Sequence, residues 1–213
     1  MGEKLLEDGY ELNVYNRSGE KMKPLIEKGA KPAESPAKAA SDADIIISIL
    51  TNSDAVKECA LGENGILNSM KDGAVYCDMS TVSAAWAEEI EQIFVMRGHR
   101  FIQAPVLGSV PQVNLKKLIV FAGGKDSSIQ KIEPVLKSFS SDIFSFPSAK
   151  KSIIIKLAFN MLIAHMTVGL GQSLVFMKKC GLNPDVFMDV LGKSVLNSTL
   201  LQTKGKAISG SEF

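Results

Sequence analysis

The sequence predicts an α/β fold: a doubly wound, mostly parallel sheet over residues 1–149, followed by an all-helical segment over 150–213. Three observations predict it. Short β-rich runs alternate with helical periodicity through the first part. One of those runs, Asp44-Ile45-Ile46-Ile47-Ser48-Ile49-Leu50, is almost uniformly apolar, as suits a strand covered on both faces. From Ser152 onward only helical periodicity remains, with Asn183-Pro184 and Gly192 as punctuation.

Taken in order, the chain opens in an acidic amphipathic stretch, Met1 to Asp8, with Gly9 as a helix stop. Residues 10–15 alternate like a strand. Helical segments are expected at 21–28 and 36–41, the first shortened or distorted by Pro24. The apolar strand at 44–50 leads to a helix at 55–61, a strand at 74–79 and a helix at 83–97. Strands at 100–103, 118–122 and 143–146 complete the sheet, with a helix at 127–138. The segment 104–111 reads as a loop and 204–213 as a fraying end. An open parallel sheet ordinarily starts with a strand, whereas this chain starts in a helix, and the closing helices make a thin domain. The expectation is therefore a chain cut at both ends, with the first strand missing and the helical domain incomplete.

Composition narrows the function classes. With 46% hydrophobic and 22% charged residues, the 213-residue chain is neither disordered nor collagen-like. Lys and Arg number 24 against 23 Asp and Glu, a net charge of +1, so neither a nucleic-acid footprint nor a polybasic membrane anchor is expected. Cys59, Cys77 and Cys180 are scattered, and His99 and His165 are the only histidines, which argues against a zinc site. Free thiols and a start unlike a signal peptide suit a cytoplasmic protein. Residues 153–177 are long and apolar enough to raise a membrane reading. Lys156, Asn160, His165 and Gln172 make spanning costly, so a buried helix of a soluble protein is expected.

Four constellations carry chemistry. Asn16-Arg17-Ser18 follows the strand at 11–15. In dinucleotide-binding sheets the residue ending the second strand selects the cofactor, and an arginine there accommodates the 2′-phosphate of NADP. The plain alternative is a solvated turn in which Ser18 caps a helix. Leu50-Thr51-Asn52 and Asp78-Met79-Ser80-Thr81 each follow a strand and precede a helix, where ligands gather in such sheets, although ordinary capping explains either alone. Ala104-Pro105-Val106-Leu107-Gly108-Ser109 is a bend whose glycine lets backbone approach a ligand, or simply a bend. Lys156 and Asn160 are polar exceptions, spaced i, i+4, in an otherwise apolar helix. Desolvation moves a lysine toward useful proton exchange, whereas the alternative is an amine snorkelling to water. His165 is expected to be a satisfied core histidine, Met161, Met166 and Met177 core fillers, and Glu88, Glu89 and Glu91 a solvated face.

Together these residues resemble the β-hydroxyacid dehydrogenase family, which includes 3-hydroxyisobutyrate dehydrogenase and glyoxylate/succinic semialdehyde reductases, and the resemblance runs along the whole chain. Met1-Gly2 looks like the end of the family's fingerprint G-x-G-x-M-G, and residues 9–18 look like its second strand and NADP-selecting turn. Asp78-Met79-Ser80-Thr81 is similar to its D-x-S-T turn, residues 104–109 to its A-P-V-S-G-G loop, and Lys156-Leu157-Ala158-Phe159-Asn160 to its K-x-x-x-N. Leu107, Ser109 and Lys150-Lys151-Ser152 depart from the family pattern, and Phe159 replaces the histidine of 6-phosphogluconate dehydrogenases.

The resemblance implies a Rossmann-type fold and an NADP-dependent oxidoreductase, NAD being possible, acting on a small β-hydroxyacid or short semialdehyde. It implies Lys156 and Asn160 as catalytic residues. Gly2, Asn16, Arg17, Ser18, Leu50, Thr51 and Thr81 would bind cofactor, and Ser80, Gly108 and Ser109 the substrate carboxylate. A homo-oligomer is implied for the full-length form. The rival reading is a non-catalytic nucleotide-binding or interaction module.

Overall fold

The structure, a computed structural model, describes residues 1–209. It divides into two compact units, Met1–Leu157 and Ala158–Phe213. The first carries α1 (Gly2–Glu7), β1 (Asn13–Val14), a 3-10 turn (Gly19–Met22), α2 (Lys23–Ile26), β2 (Lys31–Pro32), α3 (Pro36–Ala40) and β3 (Ile45–Ser48). There follow α4 (Ser53–Leu61), β4 (Val75–Asp78), α5 (Ala84–Met96), β5 (Arg100–Gln103), β6 (Val106–Leu107), α6 (Val110–Asn114), β7 (Leu118–Gly124), α7 (Asp126–Leu136) and β8 (Ser140–Phe146). The long helix α8 (Ala149–Lys179) runs from the first unit into the second, which adds α9 (Pro184–Lys193) and α10 (Thr199–Ser209).

Six strands form the main sheet in the order β3-β4-β5-β7-β6, with β8 on the other side of β7. β3, β4 and β5 are parallel; β7 runs antiparallel to β5 and to β6 and parallel to β8. Side chains alternate between two cores because successive Cβ atoms point to opposite faces. Ile46, Tyr76 and Phe101 join α3, α4 and α5 through Ala40, Val56, Ala60, Ile90 and Phe94. Val75, Cys77 and Ile102 join α1 and α7 through Leu5, Ile129 and Ile132. Helices thus cover both faces, which defines a doubly wound sheet and accounts for the apolar runs in β3 and β4.

Several elements differ from the sequence expectation. The alternating run at 10–15 pairs only at Asn13 and Val14, because its one partner, β2, is two residues long. β2 contains Pro32 and has no β-branched signal, so it was not expected. β6 and α6 replace the expected loop. Ser109 opens α6 with its N–H and Oγ both donating to Gln112 Oε1, at 3.0 and 2.7 Å. The segment around Pro24 is short and distorted, as expected: Pro24 sits at the start of α2, which lasts four residues after a 3-10 turn. Gly192 lies inside α9 and does not punctuate it. Residues 204–209 continue α10 and do not fray, while the rest of that expectation, 210–213, lies outside the described residues.

The largest correction concerns α8, which begins at Ala149 and spans 31 residues. Its first turns belong to the core of the first unit, where Ala149 and Ile153 are fully buried and Leu157 packs on the cluster. The first unit therefore continues past residue 149. Farther along, the helix is not the buried helix expected: only 17% of its most apolar window is buried. By length and composition alone it could cross a membrane. Met161 is 63% and Phe176 67% exposed, so neither Met161 nor the exposed His165, whose Nδ1 lies 2.7 Å from Met161 O, is a core residue. Within the second unit a small core of Leu170, Leu174 and Leu191 gathers Phe187, Met188 and Leu201.

Candidate active site

One transverse row of the sheet carries the polar residues. Ser48, Asp78 and Gln103 stand opposite one another at the carboxyl ends of β3, β4 and β5, and Gly123 of β7 continues the row beside Gln103. Asp78 is fully buried, so its carboxylate needs partners. It has four donors: Ser48 Oγ (2.7 Å), Ser80 Oγ (2.6 Å) and Ser80 N–H (3.2 Å) on Oδ1, and Gln103 Nε2 (3.0 Å) on Oδ2. Burial pushes the Asp78 carboxyl up, and these hydrogen bonds pull the other way. Tyr76 extends the cluster through its hydroxyl, 2.9 Å from Ser48 Oγ, and burial with Asp78 nearby raises that phenol.

The network reaches the two turns expected to meet cofactor. Ser80 Oγ accepts the Leu50 N–H at 2.8 Å, so one hydroxyl locks the end of β3 to the turn after β4. Met79 N–H donates to Ser48 O at 2.8 Å and strengthens the same junction. Thr51 and Thr81 emerge exposed from these anchored backbones. Capping of the following helices falls to Asn52, which accepts Ala55 N–H, and to Ser83, which accepts Trp86 N–H. The threonine hydroxyls are thus left to face outward.

Ser80 itself is placed differently from the expectation. It is 1% exposed, and its hydroxyl is committed to Asp78 and Leu50. A hydroxyl so engaged holds a turn in place and is not presented to a carboxylate.

The remaining expected residues stand outside this bonded cluster. Asn16, Arg17 and Ser18 are all exposed after β1, with Asn16 Oδ1 accepting the Ser18 N–H at 2.9 Å. Ser18 precedes the 3-10 turn but makes no capping bond with its side chain. Gly2 opens α1, where a Cβ would meet Leu25 Cδ1 at 3.0 Å. Gly108 has φ +133°, and a Cβ there would lie 2.6 Å from Leu118 Cδ2, so both conformation and space call for glycine. Ser109 is exposed beside it.

Lys156 is buried, at 9% exposure, on the second full turn of α8. Among the described residues its amine has neither an ion pair nor a hydrogen bond, and burial alone pushes its pKa down. Asn160, four residues along the helix and half-buried, belongs to the second unit. The start of α8 is held by residues expected to be merely solvated. Glu91 Oε2 accepts the Ala149 N–H at 3.0 Å, and Glu88 pairs with Lys150 at 2.8 Å. Burial raises the Glu91 carboxyl, and the Ala149 bond offsets part of that.

Ser48, Gln103, Ser152 and Gly123 were missed in the sequence. A glutamine ending the strand Arg100-Phe101-Ile102-Gln103, and a Gly-Gly pair ending another, were the available signals.

A doubly wound sheet with exposed hydroxyls and an arginine after its strands has the arrangement of a Rossmann-type dinucleotide-binding domain. Residues 1–147 match the family described as the NAD binding domain of 6-phosphogluconate dehydrogenase, and residues 152–213 that described as NAD-binding of NADP-dependent 3-hydroxyisobutyrate dehydrogenase. The uncharacterized oxidoreductase YfjR of Bacillus subtilis is 31% identical over 210 residues, which cover 98% of this chain and 73% of that protein. Glyoxylate/succinic semialdehyde reductase 1 of Arabidopsis thaliana is 28% identical over 213 residues, 100% of this chain and 74% of the relative. The solved structure of Psf3 in complex with NADP+ and 2-OPP has a TM-score of 0.90 at 24% identity, over 99% of this chain and 75% of that one. The chain belongs to the β-hydroxyacid dehydrogenase family of NAD(P)-dependent oxidoreductases.

Proposed function

We infer that the chain serves an NADP-dependent reductase or dehydrogenase of small β-hydroxyacids or short semialdehydes, with Lys156 as general acid and base. The observation that carries this reading is the buried Lys156 amine, unpaired among the described residues and made more acidic by burial alone. The donor set suits a dinucleotide phosphate: a guanidinium at Arg17 and hydroxyls at Ser18, Thr51 and Thr81 are exposed, and Leu50 and Ser80, next in sequence to the two threonines, are tied to each other. NADP, when bound, supplies or accepts the hydride, and NAD would serve the same chemistry. Arg17 and Ser18, with Asn16 shaping their turn, would hold the 2′-phosphate. Gly2, Leu50, Thr51 and Thr81 would line the rest of the cofactor.

In the reducing direction the Lys156 ammonium gives a proton from Nζ to the substrate oxygen as that oxygen becomes a hydroxyl. In the oxidising direction the neutral amine takes it back. A lowered lysine pKa serves both directions, because each protonation state is then accessible nearer neutral pH. Asn160 would orient the oxygen, and Gly108 and Ser109 would hold the substrate carboxylate. Ser80 supports the site from beneath. Broad apolar exposure on α8 and α9, at Met161, Val168, Phe176, Val186 and Val190, suits packing against a second copy in a cytoplasmic homo-oligomer.

Two variants test the reading. Lys156→Ala should lower turnover of semialdehyde with NADPH about 10²- to 10⁴-fold while NADPH affinity stays within about threefold. Arg17→Ala should weaken NADPH about 10- to 100-fold and leave NADH nearly unchanged. Turnover that survives the first change removes Lys156 from the chemistry, and an equal loss for both cofactors in the second removes the phosphate assignment.

A further inference from the structure

Ser152 lies on the first turns of α8, fully buried, four residues before Lys156. Residues so spaced share a helix face, so whatever fixes Ser152 fixes where the lysine leaves the helix. Its Oγ stands 2.8 Å from Ala149 O and 3.0 Å from Gln103 O. The first contact is the helix's own carbonyl; the second is the last residue of β5. Gln103 is in turn tied to the Asp78 cluster, its Nε2 donating to Asp78 O at 2.9 Å and Ser80 O at 3.0 Å.

On the β7 side the fit is closer still. A Cβ on Gly123 would collide with Ser148 O and lie 2.7 Å from Ser152 Oγ and 2.8 Å from Ser152 Cβ. Glycine is what lets the helix start rest directly on the sheet. Glu91 and Glu88 of α5 hold the same turn from another side. The helix start is thus held from three directions, and among the described residues it is the Ser152 hydroxyl that bonds it to the polar row.

We propose that Ser152 is a positioning residue for the Lys156 amine: its bond to Gln103 O sets the height of α8 over the strand ends and keeps the amine in its buried surroundings. The meaning of this for catalysis rests on Lys156 being the proton donor, but the positioning itself is measured without turnover. Release of the tie lets the first turns shift and the amine reach water. With burial as the sole cause of its depressed basicity, the amine then recovers ordinary behaviour.

The test is the pH dependence of Lys156 acylation by acetic anhydride, read by peptide mass spectrometry, in the wild type, Ser152→Ala and Ser152→Gly. Exposed Lys151 is the internal reference. Both variants remove the hydroxyl without adding bulk against Gly123. The expected result is a Lys156 titration about one unit higher, so that its free-amine fraction near neutral pH falls about tenfold, with Lys151 unchanged. Ser173→Ala, which removes the hydroxyl bonded to Gly169 O at 2.9 Å farther along the helix, should leave Lys156 unmoved. A Lys156 curve that coincides with the wild type in either folded variant overturns the proposal, even if thermal stability falls. Loss of the catalytic reading has a separate signature: turnover survives in Lys156→Ala while the Ser152 variants still shift the labelling curve.

Discussion

Ser80→Ala tests whether one buried hydroxyl holds the two turns together. The substitution removes the 2.6 Å bond from Ser80 Oγ to Asp78 Oδ1 and the 2.8 Å bond from Leu50 N–H to Ser80 Oγ. A hydrogen bond to a charged partner contributes about 1.5–3 kcal/mol, and a buried N–H left without an acceptor costs about 1–3 kcal/mol. Leu50 is only half-buried, so water recovers part of the second cost. The sum is about 3 kcal/mol. Urea unfolding followed at Trp86, the one tryptophan and a buried member of the same core, reads it directly. With a slope of roughly 2–3 kcal/mol per molar, the midpoint should fall by about 1 M at unchanged slope. Ser18→Ala, which removes an exposed hydroxyl that makes no capping bond, is the control and should stay within about 0.5 kcal/mol. If the two variants lose the same small amount, the Ser80 hydroxyl is not holding this junction together.

Two further outcomes follow from the same geometry. Burial lowers the Lys156 pKa in the folded chain, so between that lowered value and the ordinary lysine range the unfolded chain binds more protons, and stability rises with pH there. Lys156→Met should abolish that rise and stabilise the chain at neutral pH on the order of 1 kcal/mol, seen in urea midpoints from neutral to alkaline pH. Gly108→Ala forces a side chain into φ +133° and against Leu118, a fully buried residue, and should cost about 1–3 kcal/mol in the same measurement.

The sheet was legible because its strands are short, apolar and separated by helices with clear periodicity. The strand at 100–103 was bounded to the residue, and Asn183-Pro184 marked the break before α9. Elements defined by a partner were not legible. β2 exists because Lys31 and Pro32 lie beside Asn13 and Val14, and nothing in a two-residue segment announces that. The Ser-x-x-Gln spacing at 109–112 is a readable capping box, set just after the glycine that marks a bend. Among the site residues, Lys156 stood out as a cation in an apolar run. Asp78 is legible as the first residue of the D-x-S-T turn, whereas its burial under four donors depends on Ser48 and Gln103, 30 residues before and 25 after it. Periodicity correctly identified α8 as helical, but an apolar helix gives no local sign of whether it is covered. For that reason Met161 and His165 are expected in a core, yet both are exposed.

Among the described residues β8 borders the sheet with β7 as its strand partner, and its third residue, Asp142, is exposed and accepts from Ser141 Oγ at 2.7 Å. A foreign strand adding to that margin would have to strip water from the carboxylate, with no cation waiting to compensate on β8 itself. A charge on an edge strand is one of the devices by which sheets discourage growth from one molecule into the next.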